Sequence, residues 1–260
     1  SCSLPDFNPN KIDSSNSPNM FNAVTHGVFE MGSTFKPITL AIALNESIID
    51  KNTKFDVKKP IKIGKYSISD YHKIDGPLTS KEVIVNSSNI GAAKMAELIG
   101  TKKHKKYLEK FRLLEKPNIE IPEIGNPIIP NPWLPINTMT IGYGYGLSVS
   151  PIQLSSTYAT LVNGGNLIQP SFLRNNEIKI INKVLKEETS INIRKILRAV
   201  ILESKWTGPR ARVQGYEIGG KTGTAELLID SKYHKKANMS SFIGVFPISE
   251  PKYLVLVMIK

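Results

Sequence analysis

Apolar and polar positions along this chain follow three rhythms. Residues 34–44 (TFKPITLAIAL) are apolar on nearly every side, the pattern of a helix enclosed by other elements. Pro37 lacks an N–H, a loss tolerated in a first turn, so this helix is predicted to start close to Ser33. Thr79-Ser80-Lys81-Glu82 forms a capping box and predicts a short helix to about Val85. Over 91–114 apolar residues recur at helical spacing, with a break near Gly100. Ser150-Pro151 opens and Gly164-Gly165 closes a helix over 150–163, and 189–204 reads as another amphipathic helix. The rhythm then changes to strand-like stretches, Tyr216–Leu228, Ser240–Pro247 and Tyr253–Ile259, with 248–252 as a tight connector. Residues 1–30, rich in Asn, Ser and Pro, read as irregular chain. Residues 51–78 read as loops with small strands, and 115–137, with six prolines, as a long loop. Helices in the middle and strands at the end predict an α+β fold, an antiparallel sheet packed with helices plus a mostly helical lobe.

Composition narrows the class. A chain of 260 residues suits one domain or two intimate lobes, and 40% hydrophobic with 22% charged residues excludes disorder or a coiled coil as whole-chain readings. The single cysteine, Cys2, excludes an internal disulfide and a cysteine-rich zinc site. The longest unbroken apolar run, Tyr253–Ile259, falls short of the roughly 20 residues a membrane span requires. The net charge of +12 raises nucleic acid as a partner. The densest cluster, Lys102, Lys103, Lys105 and Lys106, however, opens a stretch where Tyr107, Leu108, Phe111 and Leu114 recur at helical spacing, so the lysines read as its solvated face. No nucleic-acid motif accompanies the charge, and no nucleic-acid partner is expected. His26, His72, His104 and His234 show no ligand spacing, and neither metal nor cofactor is expected.

Three short motifs carry candidate chemistry. In Ser33-Thr34-Phe35-Lys36 the first and last residues lie one helical turn apart, so the Lys36 amine reaches the Ser33 hydroxyl. A serine becomes a nucleophile when a neighbour takes its proton, and a lysine serves once burial or a nearby cation lowers its pKa. The alternative is that Ser33 is only a helix cap; a second Ser-x-x-Lys, Ser249 to Lys252, reads as a turn between strands. Ser87-Ser88-Asn89 offers a hydroxyl and an amide that could face one cavity, or simply a turn and cap. Lys221-Thr222-Gly223-Thr224 after Gly219-Gly220 is the rarest of the three. A strand bare at Gly223 receives an extended peptide by backbone pairing, and the alternative is an ordinary bulge.

The three motifs in this order, 54 and 134 residues apart, match the set of β-lactamases and penicillin-binding proteins. The chain resembles the transpeptidase domain of class B penicillin-binding proteins, from Ser3-Leu4-Pro5-Asp6-Phe7 to its last strand. Phe29-Glu30-Met31-Gly32-Ser33-Thr34-Phe35-Lys36-Pro37 looks like the family's nucleophile helix. Ser87-Ser88-Asn89-Ile90-Gly91 and Gly142-Tyr143-Gly144-Tyr145-Gly146-Leu147-Ser148-Val149-Ser150-Pro151-Ile152-Gln153-Leu154 resemble its division-specific branch.

The resemblance implies a penicillin-binding, β-lactamase-like fold with a helical lobe over about 33–205 and a sheet lobe from 1–30 and 213–260. It implies Ser33, Lys36, Ser87, Asn89 and Lys221 as catalytic residues and Thr222, Gly223 and Thr224 as substrate-binding residues. The implied activity is cross-linking of peptidoglycan stem peptides through an acyl-enzyme on Ser33, which β-lactams would also acylate. Implied partners are a glycosyltransferase and other division proteins, and the implied location is the periplasmic face of the inner membrane. Family members usually carry a membrane anchor and a pedestal, a sheet strand before the Leu-Pro-Asp segment, and a helix after the last strand. This sequence shows none of these, so a piece of a longer protein is expected, with an unpaired sheet edge and an uncovered apolar face. Two rival readings stay open: a β-lactamase or D,D-carboxypeptidase with water as acceptor, and a β-lactam-binding sensor or division scaffold without turnover.

Overall fold

A computed structural model describes all residues except 1, 3, 5, 7, 9, 11–19, 65, 175–177, 230 and 231, and the side chains of 227–236. Much of the stretch 1–19, read as irregular chain, therefore lies outside the described residues. A two-residue strand β1, Phe29–Glu30, leads into a 3-10 turn at Gly32–Phe35 and then helix α1, Lys36–Asn45. α1 is the central post. Ile38, Leu40, Ala41, Ile42 and Ala43 are all fully buried, and burying each large side chain contributes roughly 1.5–3 kcal/mol. A helix without a polar stripe has no way to sit at the surface, and other helices enclose this one.

Residues 51–79 form small antiparallel hairpins, as the broken pattern predicts. β2 (Lys54–Asp56) pairs with β5 (Pro77–Thr79), and β3 (Ile61–Ile63) with β4 (Tyr66–Ile68). The capping box forms at the start of α2, Ser80–Val85: Glu82 N–H donates to Thr79 Oγ1 at 3.2 Å, and Thr79 N–H donates to the Glu82 carboxylate at 2.8 Å. Helices α3 (Asn89–Ile99) and α4 (Thr101–Lys110) are separated by Gly100 at φ +78°, the break the sequence marked. On α4 Tyr107 and Leu108 are buried while Lys102, Lys105 and Lys106 face solvent. The loop read over 115–137 ends early, because α5 occupies Pro135–Gly142 and buries Met139 and Ile141. β6 (Ser148–Val149) pairs with β1. α6 (Pro151–Val162) and α7 (Glu187–Glu203) match the predicted helices, and between them a hairpin that the pattern did not mark joins β7 (Asn166–Ile168) to β8 (Ile180–Lys183).

The C-terminal stretch folds into an antiparallel sheet in the order β11-β10-β9, from β9 (Gly219–Ile229), β10 (Lys232–Phe246) and β11 (Tyr253–Ile259). Ile243 and Val245 of β10 join the core against the helices. β11 alternates: Leu254, Leu256 and Met258 pack inward, while Tyr253, Val255, Val257 and Ile259 stay exposed. The architecture is α+β, as predicted. Among the described residues no helix is long and apolar enough to cross a membrane.

Candidate active site

The first motif forms a tight 3-10 turn whose last residue leads into α1. Gly32 holds φ +52°, a conformation that suits glycine, and Pro37 sits in the first turn of α1, where its missing N–H leaves no bond unmade. The turn is clamped from three sides. Gly32 N–H donates to Gly144 O at 3.0 Å. The buried Tyr158 hydroxyl donates to Thr34 O at 2.7 Å, and Thr34 Oγ1 donates to Met31 O at 2.7 Å. The approach to β9 is close enough that only glycines fit. A Cβ on Gly32 would lie 2.4 Å from Thr224 O, one on Gly144 1.8 Å from Gly32 O, and one on Gly223 2.8 Å from Thr34 Cγ2. β9 is one of the two outer strands of its sheet among the described residues, and its free side runs along this turn.

Lys36 projects from the first position of α1 into a polar knot. Its Nζ lies 2.8 Å from Ser33 Oγ, 2.6 Å from Ser87 O and 3.1 Å from Ser87 Oγ. Lys221 arrives from β9 on the other side, its Nζ 3.0 Å from Ser87 Oγ and 3.1 Å from Thr222 O. A continuous chain therefore runs Ser33 Oγ, Lys36 Nζ, Ser87 Oγ, Lys221 Nζ. Both amines are buried, Lys36 at 0% and Lys221 at 1% exposure, whereas Ser33 is half-buried. Burial, with the Lys221 charge second, holds the Lys36 amine well below its usual range, and the Asp70 carboxylate partly opposes this. Burial pushes Lys221 down to about 7. Each lysine is thereby brought toward the neutral form a proton acceptor requires.

The second motif occupies the turn between α2 and α3. Ser87 stands at φ +58°, a left-handed conformation rare for serine, with its N–H on Ile84 O at 3.2 Å. Ser88 caps α3, its Oγ accepting from Gly91 N–H at 2.9 Å. Asn89 donates its side-chain amide to Ser69 O at 2.9 Å. In the third motif Thr222 and Thr224 lie on the opposite face of β9 from the buried Lys221 and Gly223, and the Thr222 and Thr207 hydroxyls lie 3.0 Å apart.

The structure thus brings Ser33, Lys36, Ser87 and Lys221 into one hydrogen-bonded chain. It places Asn89 at its edge, beside Ser69, and Gly223 and Thr224 against the Ser33 turn. The second Ser-x-x-Lys lies elsewhere: Ser249 bonds Glu217, and the Lys252 N–H donates to Phe246 O at 3.4 Å. Several contributors carried no local signal. Asp70 accepts from two groups of the second motif and from the N–H of Ile90 that follows it. Glu30 Oε1 accepts from Gly146 N–H at 2.6 Å and so ties down the loop that clamps Gly32. His72 stacks on Trp206, ring centroids 3.5 Å apart at 5°, joining the loop beside the second motif to the segment beside Thr222. A separate cavity of about 280 Å³, lined by Phe111, Arg112, Gln153, Leu167 and Ile181 among others, contains no motif residue. Among the described residues no group of three or more His, Cys, Asp or Glu is arranged to hold a metal ion.

The family described as the penicillin binding protein transpeptidase domain matches residues 2–260, and the chain belongs to that family, in its class B. It is 33% identical over 267 residues to the probable peptidoglycan D,D-transpeptidase FtsI of Caulobacter vibrioides, covering 99% of this chain and 45% of that protein. It is 34% identical over 274 residues to stage V sporulation protein D of Bacillus subtilis, covering 98% and 42%. The apo transpeptidase domain of Burkholderia pseudomallei penicillin-binding protein 3 superimposes with a TM-score of 0.86 at 31% identity, over 92% of this chain and 73% of that one. The chain therefore spans less than half the length of these two curated relatives.

Proposed function

We propose that this domain is a serine D,D-transpeptidase that cross-links peptidoglycan stem peptides during septal wall synthesis. The observation that carries the reading is the unbroken chain from Ser33 Oγ to Lys221 Nζ, built on two buried amines of lowered pKa. In the proposed reaction neutral Lys36 takes the Ser33 proton as Oγ attacks the carbonyl of the penultimate D-Ala. The oxygen that becomes negative is held by the backbone N–H groups of Ser33 and Thr224; one such donor is worth about 10²–10³ in rate. The C–N bond breaks, and the proton that Lys36 took from Ser33 is carried, with the help of the Ser87 hydroxyl and Lys221 beside it, to the leaving D-Ala amine, which returns Lys36 to its neutral form. The amine of a neighbouring stem peptide then attacks the ester, gives up a proton and restores the Ser33 hydroxyl. Asn89 binds the stem-peptide amide, while Gly223 leaves the strand edge open to an extended peptide and Thr222 and Thr224 fix its carboxylate. The reading divides the domain into a helical lobe over about 33–205 and a sheet lobe from 1–30 and 213–260.

β-Lactams acylate Ser33 by the same route and remain, because the adduct's bulk blocks the acceptor. The parent protein is read as anchored in the inner membrane with this domain on the periplasmic face, working beside a glycosyltransferase and other division proteins. Similarity to a relative named a probable peptidoglycan D,D-transpeptidase supports the wall-synthesis part of that reading. Labelling with a fluorescent penicillin tests the chemistry. The unsubstituted chain takes one label at Ser33, and Ser33→Ala takes none; residual labelling of that variant would sink the assignment. Rapid multiple turnover of nitrocefin would turn the reading toward a hydrolase.

A further inference from the structure

We propose that Asp70 is a positioning residue for the acyl transfer, its carboxylate holding the Ser87–Asn89 turn so that the Ser87 hydroxyl stays seated between the two amines. The inference rests on the reading of Ser33 as nucleophile. Asp70 lies in the loop between β4 and β5, far from the three motifs in sequence. Its Oδ1 accepts from Asn89 N–H at 2.5 Å and Ile90 N–H at 3.0 Å, and its Oδ2 accepts from Ser88 Oγ at 2.7 Å. Those donors include two of the orphan N–H groups at the start of α3 and the hydroxyl that caps it. One carboxylate therefore fixes the downstream half of the turn whose upstream half ends at Ser87.

The need for such a brace follows from Ser87. A serine at φ +58° is in a strained conformation that persists only where its surroundings fix it. Upstream, Ser87 and Ser88 N–H groups bond Ile84 O and Val83 O at the end of α2. Downstream, apart from the bonds Ser88 accepts from Gly91 and Ala92 N–H within α3, the ties from Ser88, Asn89 and Ile90 lead to Asp70 or, through the Asn89 amide, to its neighbour Ser69. The brace is itself anchored. Two residues on, His72 stacks on Trp206, and the next residue, Thr207, meets Thr222 of the third motif. Asp70 thus sits in a loop that joins the second motif to the third.

Its charge also bears on Lys36. The charged groups that face this amine are Lys221 from β9, which favours loss of its proton, and Asp70, which favours keeping it. Removing the charge while keeping the hydrogen bonds should therefore move the pH dependence, an effect that a purely structural brace lacks. Asp70→Asn does this: its oxygen accepts the same two N–H groups, and its amide donates to a reoriented Ser88 hydroxyl. Asp70→Ala removes both charge and bonds.

The rate of Ser33 acylation by a fluorescent penicillin, followed across pH, reads both variants. Asp70→Ala is expected to acylate about 10²-fold more slowly, the scale of loss when reacting groups are misplaced by about 1 Å. Asp70→Asn is expected to keep most of the maximal rate while the rising limb of its pH profile moves to lower pH. An Asp70→Asn profile that coincides with the unsubstituted chain, or an Asp70→Ala rate equal to it, would overturn the inference while leaving the nucleophile in place. If Asp70→Ala fails to fold, the Asp70→Asn profile decides alone. Absence of labelling in the unsubstituted chain would instead bring down the acyl-transfer reading, and this inference with it.

Discussion

The turn that carries Ser33 and the turn that carries Ser87 hold their hydroxyls by opposite means. Around Ser33, position is set by missing side chains: Gly32, Gly144 and Gly223 let three backbone segments lie where any Cβ would collide. Around Ser87, position is set by borrowed side chains: a carboxylate, a capping hydroxyl and a lysine hold a backbone that glycine would adopt more easily. In the proposed reaction the first turn positions the hydroxyl that forms a covalent bond, and the second a hydroxyl that only passes a proton. A nucleophile misplaced by about 1 Å loses on the order of 10²-fold in rate. A relay through a hydroxyl rotor tolerates more, because its O–H rotates to suit. Rigid backbone contact suits the former, and adjustable hydrogen bonds the latter.

The comparison is broken most severely at Gly144. Gly144→Ala places a methyl 1.8 Å from Gly32 O at φ +102°, so both steric clash and backbone strain act. We expect complete loss of penicillin labelling and a fall of several kcal/mol in stability, read by denaturant titration. Near-normal labelling would mean the glycine clamp does not set the nucleophile. The Ser87 pair comes next. Ser87→Ala and Ser87→Gly both remove the relay hydroxyl and should slow acylation by roughly 10²–10⁴, as for lost proton transfer. Glycine also relieves the φ +58° strain, so Ser87→Gly should exceed Ser87→Ala in stability by about 1 kcal/mol or more. Equal stabilities would show that the turn is unstrained.

A buried group outside both turns sharpens the contrast. His104 on α4 is fully buried, neither ring nitrogen has a hydrogen-bond partner among the described residues, and burial pushes its pKa down to about 4 from 6.5. The unfolded chain binds this proton below about 6.5 and the folded chain only near 4, so stability is full above 6.5 and falls as pH drops through that window. The loss is about 3 kcal/mol at most. His104→Leu should flatten this acid decline in calorimetry and leave neutral-pH acylation unchanged. An acid slope equal to that of the unsubstituted chain would remove His104 as its cause.

These two regions were not equally legible in the sequence. Ser33 and Lys36 could be paired because helical spacing puts residues three apart on one face, and Gly223 stood out because a bare glycine in a strand invites close approach. Helix α1 showed through its unbroken apolar run, and the Thr79 capping box through its fixed spacing. Asp70 gave no sign, since its partners lie on another element and a single Asp in a turn-rich stretch looks like any other. The pairing of His72 with Trp206 is likewise a tertiary event with no local pattern. Helix α5 was hidden by the prolines before it; burial of Met139 and Ile141 decides its fold more than its own propensity. The β7–β8 hairpin, with strands of three and four residues, is too short for alternation to register.

The glycine contacts around Ser33 also bear on heredity. Any missense change at a glycine codon adds at least one carbon, so Gly32, Gly144 and Gly223 offer selection no mild step away from the existing shape. A population facing a toxic molecule lodged in this cleft would have to vary elsewhere, and the segments that carry Tyr71 and Trp206, whose rings reach solvent, have room to change.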